Sequence, residues 1–385
     1  MHKLFHQLTG AIVALALCAI VSPAAAQTAE VDASLGETVQ MIPKKAGSVT
    51  FELETTIYKP DGDGPFPIAL INHGKSFGDP RLQKRYRPAV AARYFLERGY
   101  AVVAPMRQGF SHSTGSYVVG GCNVERNGRM QAEDVKAVLD YVATQPWADK
   151  DRIVVVGQSH GGWTTLAFGT HNYPGVKGLV NFAGGLRQQQ CPNWKAALAG
   201  GAGHYARETK VPSLWFYGDN DSVFDADTFK PMLEQYANAG GNARMIAFGK
   251  FGADAHSLFG SRAGAPIWQP EVSRFLAVVG MPSEVKPAFA KYAPAPLTPQ
   301  PAPTGFAAAG DETSLPHVRE SGRAGYKIYL TKTSPRAFAI ARGGSWGWAS
   351  GGDDPLKRAL DNCNRNGRGE CKLYSVDDTV VWSAP

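Results

Sequence analysis

Residues 154–163 read VVVGQSHGGW. An apolar run ends in Gly-Gln-Ser-His-Gly-Gly, and a helix-forming segment follows. A chain that passes from a buried strand into a helix over so few residues must turn sharply there. Gly157 and Gly161 make the turn sterically feasible, because bulkier residues at those positions would collide. Ser159 stands at the apex, at the positive end of the following helix. The spacing suits a hydroxyl that is exposed and activated.

The surrounding sequence fixes the fold class. Between Val49 and Met281, short apolar runs alternate with amphipathic segments. Strands are predicted at 49–58, 66–72, 100–105, 152–156, 177–182, 213–217 and 244–248. Helices are predicted at 88–98, 129–145, 162–170, 226–238 and 268–279. Continuous apolar strands alternating with helices imply an α/β fold, a mostly parallel sheet covered on both faces. With 44% hydrophobic and 19% charged residues, the chain has the composition of a globular protein with a sizeable core.

The first 26 residues stand apart. Lys3, an apolar stretch over 11–21 and Ala24-Ala25-Ala26 form the pattern of a secretory signal cleaved before Gln27, with an uncleaved anchor as the competing reading. Leu17 occupies the position where a lipoprotein site needs a small residue, so Cys18 falls in the discarded segment. Removing the leader removes Lys3 and no acidic residue, and the net charge falls from +7 to +6. Neither a dense basic run nor an aromatic–basic alternation is present, so nucleic acid is not an expected partner. No later stretch is long and apolar enough to span a bilayer, and stable membrane insertion after cleavage is not expected. A periplasmic or secreted location follows.

Four cysteines remain: Cys122, Cys191, Cys363 and Cys371. An even count in an exported chain points to disulfides. Pairing the neighbours Cys363 and Cys371 leaves Cys122 with Cys191. The close cysteine spacing of structural zinc sites is absent, so no metal is expected.

The sequence divides into the leader (1–26), a catalytic domain (27–283), a Pro/Ala-rich linker (284–305) and a small C-terminal α+β module (306–385). In the module, strands are predicted at 336–341, 371–376 and 379–382. The Gly/Trp-rich 343–352 reads as a turn. A helix starts at Asp354-Pro355 with Leu356, Ala359, Leu360 and Cys363 on one face. Segments 120–128 and 184–205 read as irregular loops near the strand ends, and a Cys122–Cys191 bond would tie them over the site.

A serine nucleophile needs a base, and the base an orienting carboxylate. His256, in the loop GKFGADAHSLFG after the last sheet strand, is the base expected to reach back over the strand ends. Asp221, in GDNDSV after the 213–217 strand, is the expected carboxylate, with Asp219 as the rival. His171 and His204 precede any suitable carboxylate loop, and His317 lies beyond the linker. An oxyanion needs backbone donors. The N–H of His160 is one, and that of Lys75, in LINHGKSFG, the other, with Ser76 as the alternative.

These segments, with PMRQGFSHSTG after the 100–105 strand, resemble the α/β-hydrolase superfamily, in the flavour of dienelactone hydrolases and prolyl-oligopeptidase-like esterases. The resemblance implies an α/β-hydrolase fold, an acyl-enzyme and no organic cofactor. The chain departs from typical dienelactone hydrolases, which carry a nucleophilic cysteine where Ser159 stands. Cleavage of a small carboxylic ester is the leading expectation. The alternatives are a peptidase with the same residues, or a non-catalytic binding protein whose C-terminal module, through Trp346, Trp348 and Trp382, contacts the cell envelope.

Overall fold

The apolar runs become the centre of an eight-stranded sheet. The computed structural model describes residues 31–332, 334–351, 354–365, 367 and 369–383. The expected leader, 1–26, lies outside the described residues. The strands are β1 (Glu37–Ala46), β2 (Val49–Tyr58), β3 (Phe66–Asn72), β4 (Ala101–Pro105), β5 (Ala148–Gln158), β6 (Val176–Phe182), β7 (Ser213–Tyr217) and β8 (Ala243–Ala247). Their spatial order is β1-β2-β4-β3-β5-β6-β7-β8. The β1–β2 and β2–β4 pairs are antiparallel, and all pairs from β4–β3 to β7–β8 are parallel.

Both faces of the sheet are covered, so alternate residues of one strand serve two cores. Ile68, Leu70, Ile153 and Val155 face the helices α2 (Val124–Val142), α3 (His160–Gly169), α4 (Trp194–Glu208) and α5 (Ala226–Asn238). Ala69, Ile71, Val154 and Val156 face α1 (Ala89–Leu96) and α6 (Ala265–Val278). Each face therefore buries its own apolar set, and the carboxyl ends of β3, β5 and β7 are left to carry loops.

Around this first sheet, three elements differ from the sequence expectation. Segment 184–205 is not irregular throughout. Its second half is helix α4, whose Ala/Gly-rich sequence gives a weak periodic signal. The glycines admit close neighbours: a Cβ on Gly201 would approach the Trp163 ring to 3.0 Å. Segment 120–128 likewise enters α2 at Val124, capped by the Asn123 side chain, which accepts from the Arg126 N–H. The charged edge strand β1 has no counterpart among the predicted strands, since only Glu37 and Ile42 of its ten residues are buried, and five residues apart they give no alternation.

The C-terminal residues form a second sheet, β10-β9-β11-β12, all antiparallel, from β9 (Arg336–Ala341), β10 (Trp346–Ser350), β11 (Cys371–Val376) and β12 (Thr379–Val380). The Gly/Trp-rich stretch read as a turn is thus partly strand β10. Helices α7 (Glu320–Leu330) and α8 (Pro355–Asn364) contribute to separate cores. Asp354 caps α8 by accepting from the Lys357 N–H at 3.0 Å. The Cys363–Cys371 disulfide ties α8 to β11. Trp346 stacks on Phe338 at 6.0 Å and lies against α7 where Gly325 leaves room, and Trp382 is buried. Trp346 and Trp382 are packing residues.

Residues 284–305 run between the two sheets as a strap that is fastened at intervals. The Lys286 N–H donates to the Glu97 carbonyl at 2.8 Å, Tyr292 is buried, and Phe289 meets Phe66 edge-on. Further on, the Thr298 N–H and hydroxyl donate to Asp354, and the Thr304 hydroxyl donates to the Trp382 carbonyl. The aromatic residues within the Pro/Ala-rich stretch supply the apolar surface that a linker of that composition otherwise lacks. No helix among the described residues is long and apolar enough to cross a membrane.

Candidate active site

Ser159 joins β5 to α3 at φ 56° and ψ −126°. That is a strained backbone for a residue with a Cβ, and its neighbours hold it there. The Ser159 N–H donates to the Phe182 carbonyl, and its own carbonyl accepts from the Trp163 and Gly185 N–H groups. The flanking glycines are required sterically. A Cβ on Gly157 would lie 2.2 Å from the Gly161 carbonyl oxygen, and one on Gly161 would lie 2.1 Å from that of Asn72. The turn therefore forms only with glycine at both places.

Asp221 leaves the end of β7 with its side chain fully buried. Its Oδ1 accepts from the Val223 and Phe224 N–H groups, both at 2.8 Å. Its two oxygens face Nδ1 of His256 at 3.1 and 3.0 Å. A carboxylate there fixes the proton on Nδ1 and leaves Nε2 as the basic nitrogen. Asp219, the rival carboxylate, is exposed in the turn. His171 and His204 pair instead with Glu133 and Glu125.

The loop carrying His256 is anchored by residues that spacing alone does not reveal. Asp254 accepts from the His256 N–H at 2.9 Å, and from the Ser222 N–H and hydroxyl at 3.1 and 2.6 Å. Burial opposes the Asp254 charge, but these hydrogen bonds outweigh it and hold the carboxyl below its usual range. Gln158, next to Ser159, donates to the His256 carbonyl at 2.6 Å. The base loop is thus bonded both to the turn and to the acid loop.

His160 opens α3, where backbone N–H groups have no partner in the preceding turn. The Lys75 N–H has no hydrogen-bond partner among the described residues, whereas that of Ser76 is committed to Gln83 at 2.9 Å. The side chain of His160 is buried, with Nε2 facing the Asn127 Oδ1 at 2.8 Å and Nδ1 facing Arg107 at 3.3 Å. Burial and the charges of Arg107 and Lys75 keep this imidazole neutral, well below the usual histidine range. Burial does the same to His73, again aided by Arg107.

Ser159, His160, Lys75 and His256 line one cavity of about 610 Å³. Phe77, Tyr117, Leu186 and Phe224 supply apolar wall. Lys75 and Arg187 are its cationic residues, and no aspartate or glutamate among the described residues lines it. The Cys122–Cys191 disulfide joins the two wall segments that carry Tyr117 and Leu186. Trp194 lies behind the wall, 6.4 Å from the Phe224 ring. No group of side chains able to hold a metal ion occurs among the described residues.

Part of the chain is similar to known proteins. Residues 50–190 match the family described as X-Pro dipeptidyl-peptidase (S15 family). None of the curated proteins matches the chain. Among solved structures, Thermogutta terrifontis esterase 2 phosphorylated by paraoxon shares 20% identity, covering 65% of this chain and 96% of that one, with a TM-score of 0.47. An esterase from Pyrococcus furiosus shares 15%, covering 64% and 94%, TM-score 0.46. A puromycin-hydrolyzing peptidase from Mycobacterium tuberculosis shares 17%, covering 65% and 42%, TM-score 0.46. The matched segment contains the glycine-flanked turn at Ser159, and the strand order and the turn are those of an α/β-hydrolase fold.

Proposed function

We propose that this chain is an exported serine hydrolase that cleaves a carboxylic ester. The observation that carries the reading is the buried Asp221 paired with His256 at 3.0 Å, with His256 lining the same cavity as the strained Ser159. In this reading the Ser159 Oγ attacks the ester carbonyl carbon and its proton passes to His256 Nε2. The tetrahedral oxyanion is held by the N–H groups of His160 and Lys75. Collapse expels the alcohol, which takes the proton from His256. Water then attacks the acyl-enzyme with His256 again as base, releasing the acid and restoring Ser159. Asp221 keeps the imidazole in its productive tautomer.

Amide or peptide cleavage by the same residues is the second reading, and the match to a dipeptidyl-peptidase family favours it. The cavity supports the ester. A peptidase that releases N-terminal dipeptides has to accommodate an α-ammonium group, and among the described residues two cations and no carboxylate line the walls. The reading in which the C-terminal module acts by itself through sugar-stacking tryptophans loses support from the packing of Trp346 and Trp382. Export is supported by the leader-like first 26 residues and by two disulfides.

The test is turnover of p-nitrophenyl acetate and butyrate, beside Gly-Pro p-nitroanilide, by the wild type and Ser159→Ala. Ester turnover lost by roughly 10⁴-fold or more in the variant is expected. Preference for the anilide would move the assignment to the peptidase, and equal ester turnover by both proteins would refute Ser159 as nucleophile.

A further inference from the structure

Arg107 is wholly buried, yet no carboxylate contacts it among the described residues. It follows β4 directly, in the segment PMRQGFSHSTG. Its Nε donates to the Gln131 Oε1 at 2.9 Å, its Nη2 faces His160, and its Nη1 is buried without a partner. The acid whose charge acts most on it is Asp134, and that carboxylate is bonded to Lys44 and to the Gln108 N–H. Burial lowers the Arg107 pKa to about 10, so the guanidinium remains charged at neutral pH. Burying a cation without a contacting anion is costly, and a neutral side chain of the same size would avoid the cost.

The placement of Arg107 offers a reason. Its backbone N–H donates to the His73 Nε2 at 3.1 Å, and His73 immediately precedes Gly74-Lys75. Its guanidinium meets the ring of His160 at 3.3 Å. Arg107 thereby touches both segments whose N–H groups are assigned to the oxyanion. Both intervening imidazoles are neutral, so neither adds a charge of its own, and the guanidinium is a buried charge behind the donor segments, opposite the Lys75 side chain in the cavity. The guanidinium is shut off from solvent, with the Phe110 ring 5.4 Å from its carbon, so its field is weakly screened.

We infer that Arg107 is a positioning residue for acyl transfer: it fixes the two donor segments relative to each other and biases the site toward the negatively charged tetrahedral intermediate. This rests on Ser159 being the nucleophile. The bias acts on charge that appears only in the intermediate, so kcat should respond and KM should not.

The experiment compares Arg107→Met and Arg107→Lys with wild type for p-nitrophenyl acetate hydrolysis, inhibition by phenylboronic acid, and thermal stability. Phenylboronic acid is the probe because it forms an anionic tetrahedral adduct with a reactive serine. Arg107→Met is expected to lose roughly 10- to 100-fold in kcat, with KM within about twofold. Its inhibition constant should rise by the same factor, and its Tm should stay level or rise. Arg107→Lys, which keeps the charge, should recover most of the lost kcat. Should Arg107→Met not fold, Arg107→Gln is judged by the same criteria. Unchanged kcat in the neutral variant, or a loss that tracks a fall in Tm and is not recovered by lysine, overturns the inference. A wild-type level of turnover in Ser159→Ala would instead remove the underlying assignment.

Discussion

The Gln158 side chain donates to the carbonyl oxygen of His256 at 2.6 Å, bonding the residue before the nucleophile to the backbone of the base. The imidazole is therefore placed from two sides, by Asp221 at Nδ1 and by Gln158 through the main chain. Gln158→Leu keeps the shape of the turn and removes the donor. It is expected to lower kcat roughly 10-fold while KM and Tm change little, since small displacements of a reacting group cost rate more than affinity. Steady-state kinetics with p-nitrophenyl acetate check this, and a loss confined to KM would contradict it.

Asp221→Asn leaves a group of the same shape against His256 but reverses the preferred tautomer. A fall in kcat of roughly 10⁴-fold is expected, with the fold retained. Circular dichroism and kinetics on the same preparation check both halves. Asp219→Asn, in the exposed turn, serves as the control that keeps its activity.

Gly161→Ala tests the turn itself. The added methyl meets the Asn72 carbonyl oxygen at 2.1 Å, and backbone on both sides has to move. A loss of about 3 kcal/mol or more is expected, read as a large fall in Tm or failure to accumulate folded protein. Near-wild-type stability would show that the elbow is looser than its contacts imply.

The buried histidines give a pH dependence of stability. His73 and His160 are held below the usual histidine pKa in the folded chain, whereas the unfolded chain titrates them near pH 6.5. Below that pH the unfolded state binds protons that the folded state refuses, so stability falls as pH falls. Each such proton contributes about 1.4 kcal/mol per pH unit. In urea unfolding between about pH 6.5 and 4.5, His73→Gln should show a slope shallower by about one proton. Identical slopes would mean that His73 is charged in the folded state.

The Cys122–Cys191 bond closes a loop with a sequence separation of 69 and joins two walls of the cavity. The double change Cys122→Ser, Cys191→Ser is expected to cost about 2–4 kcal/mol of stability. It should also raise KM for the butyrate more than for the acetate, because the longer acyl chain depends more on a fixed wall. Unchanged kinetics with lowered stability would confine the bond to a structural role.

Much of the sheet is legible in the sequence because buried parallel strands leave an uninterrupted apolar run. Phe66–Asn72 and Ser213–Tyr217 begin and end where that run does. Helix α4 is only weakly marked, because its buried stripe through Leu198, Ala202 and Tyr205 is diluted by Ala and Gly that serve close packing against Trp163. Strand β10 is hidden by the glycines around Trp346 and Trp348; that at Gly347 makes room for α8, since a Cβ there would lie 2.4 Å from the Cys363 nitrogen. At the site, Ser159 announces itself by spacing, and Asp221 and His256 by the loops they occupy. Gln158, Asp254 and Arg107 do not, because their roles depend on backbone groups and side chains distant in sequence. The buried charge of Arg107 is a fact of three dimensions alone.

The most direct test is to label the protein with a fluorophosphonate and identify the modified peptide by mass spectrometry. A single adduct on Ser159 is expected, abolished in Ser159→Ala and strongly slowed in His256→Ala. An adduct on another residue, or labelling of Ser159→Ala at the wild-type rate, would contradict it.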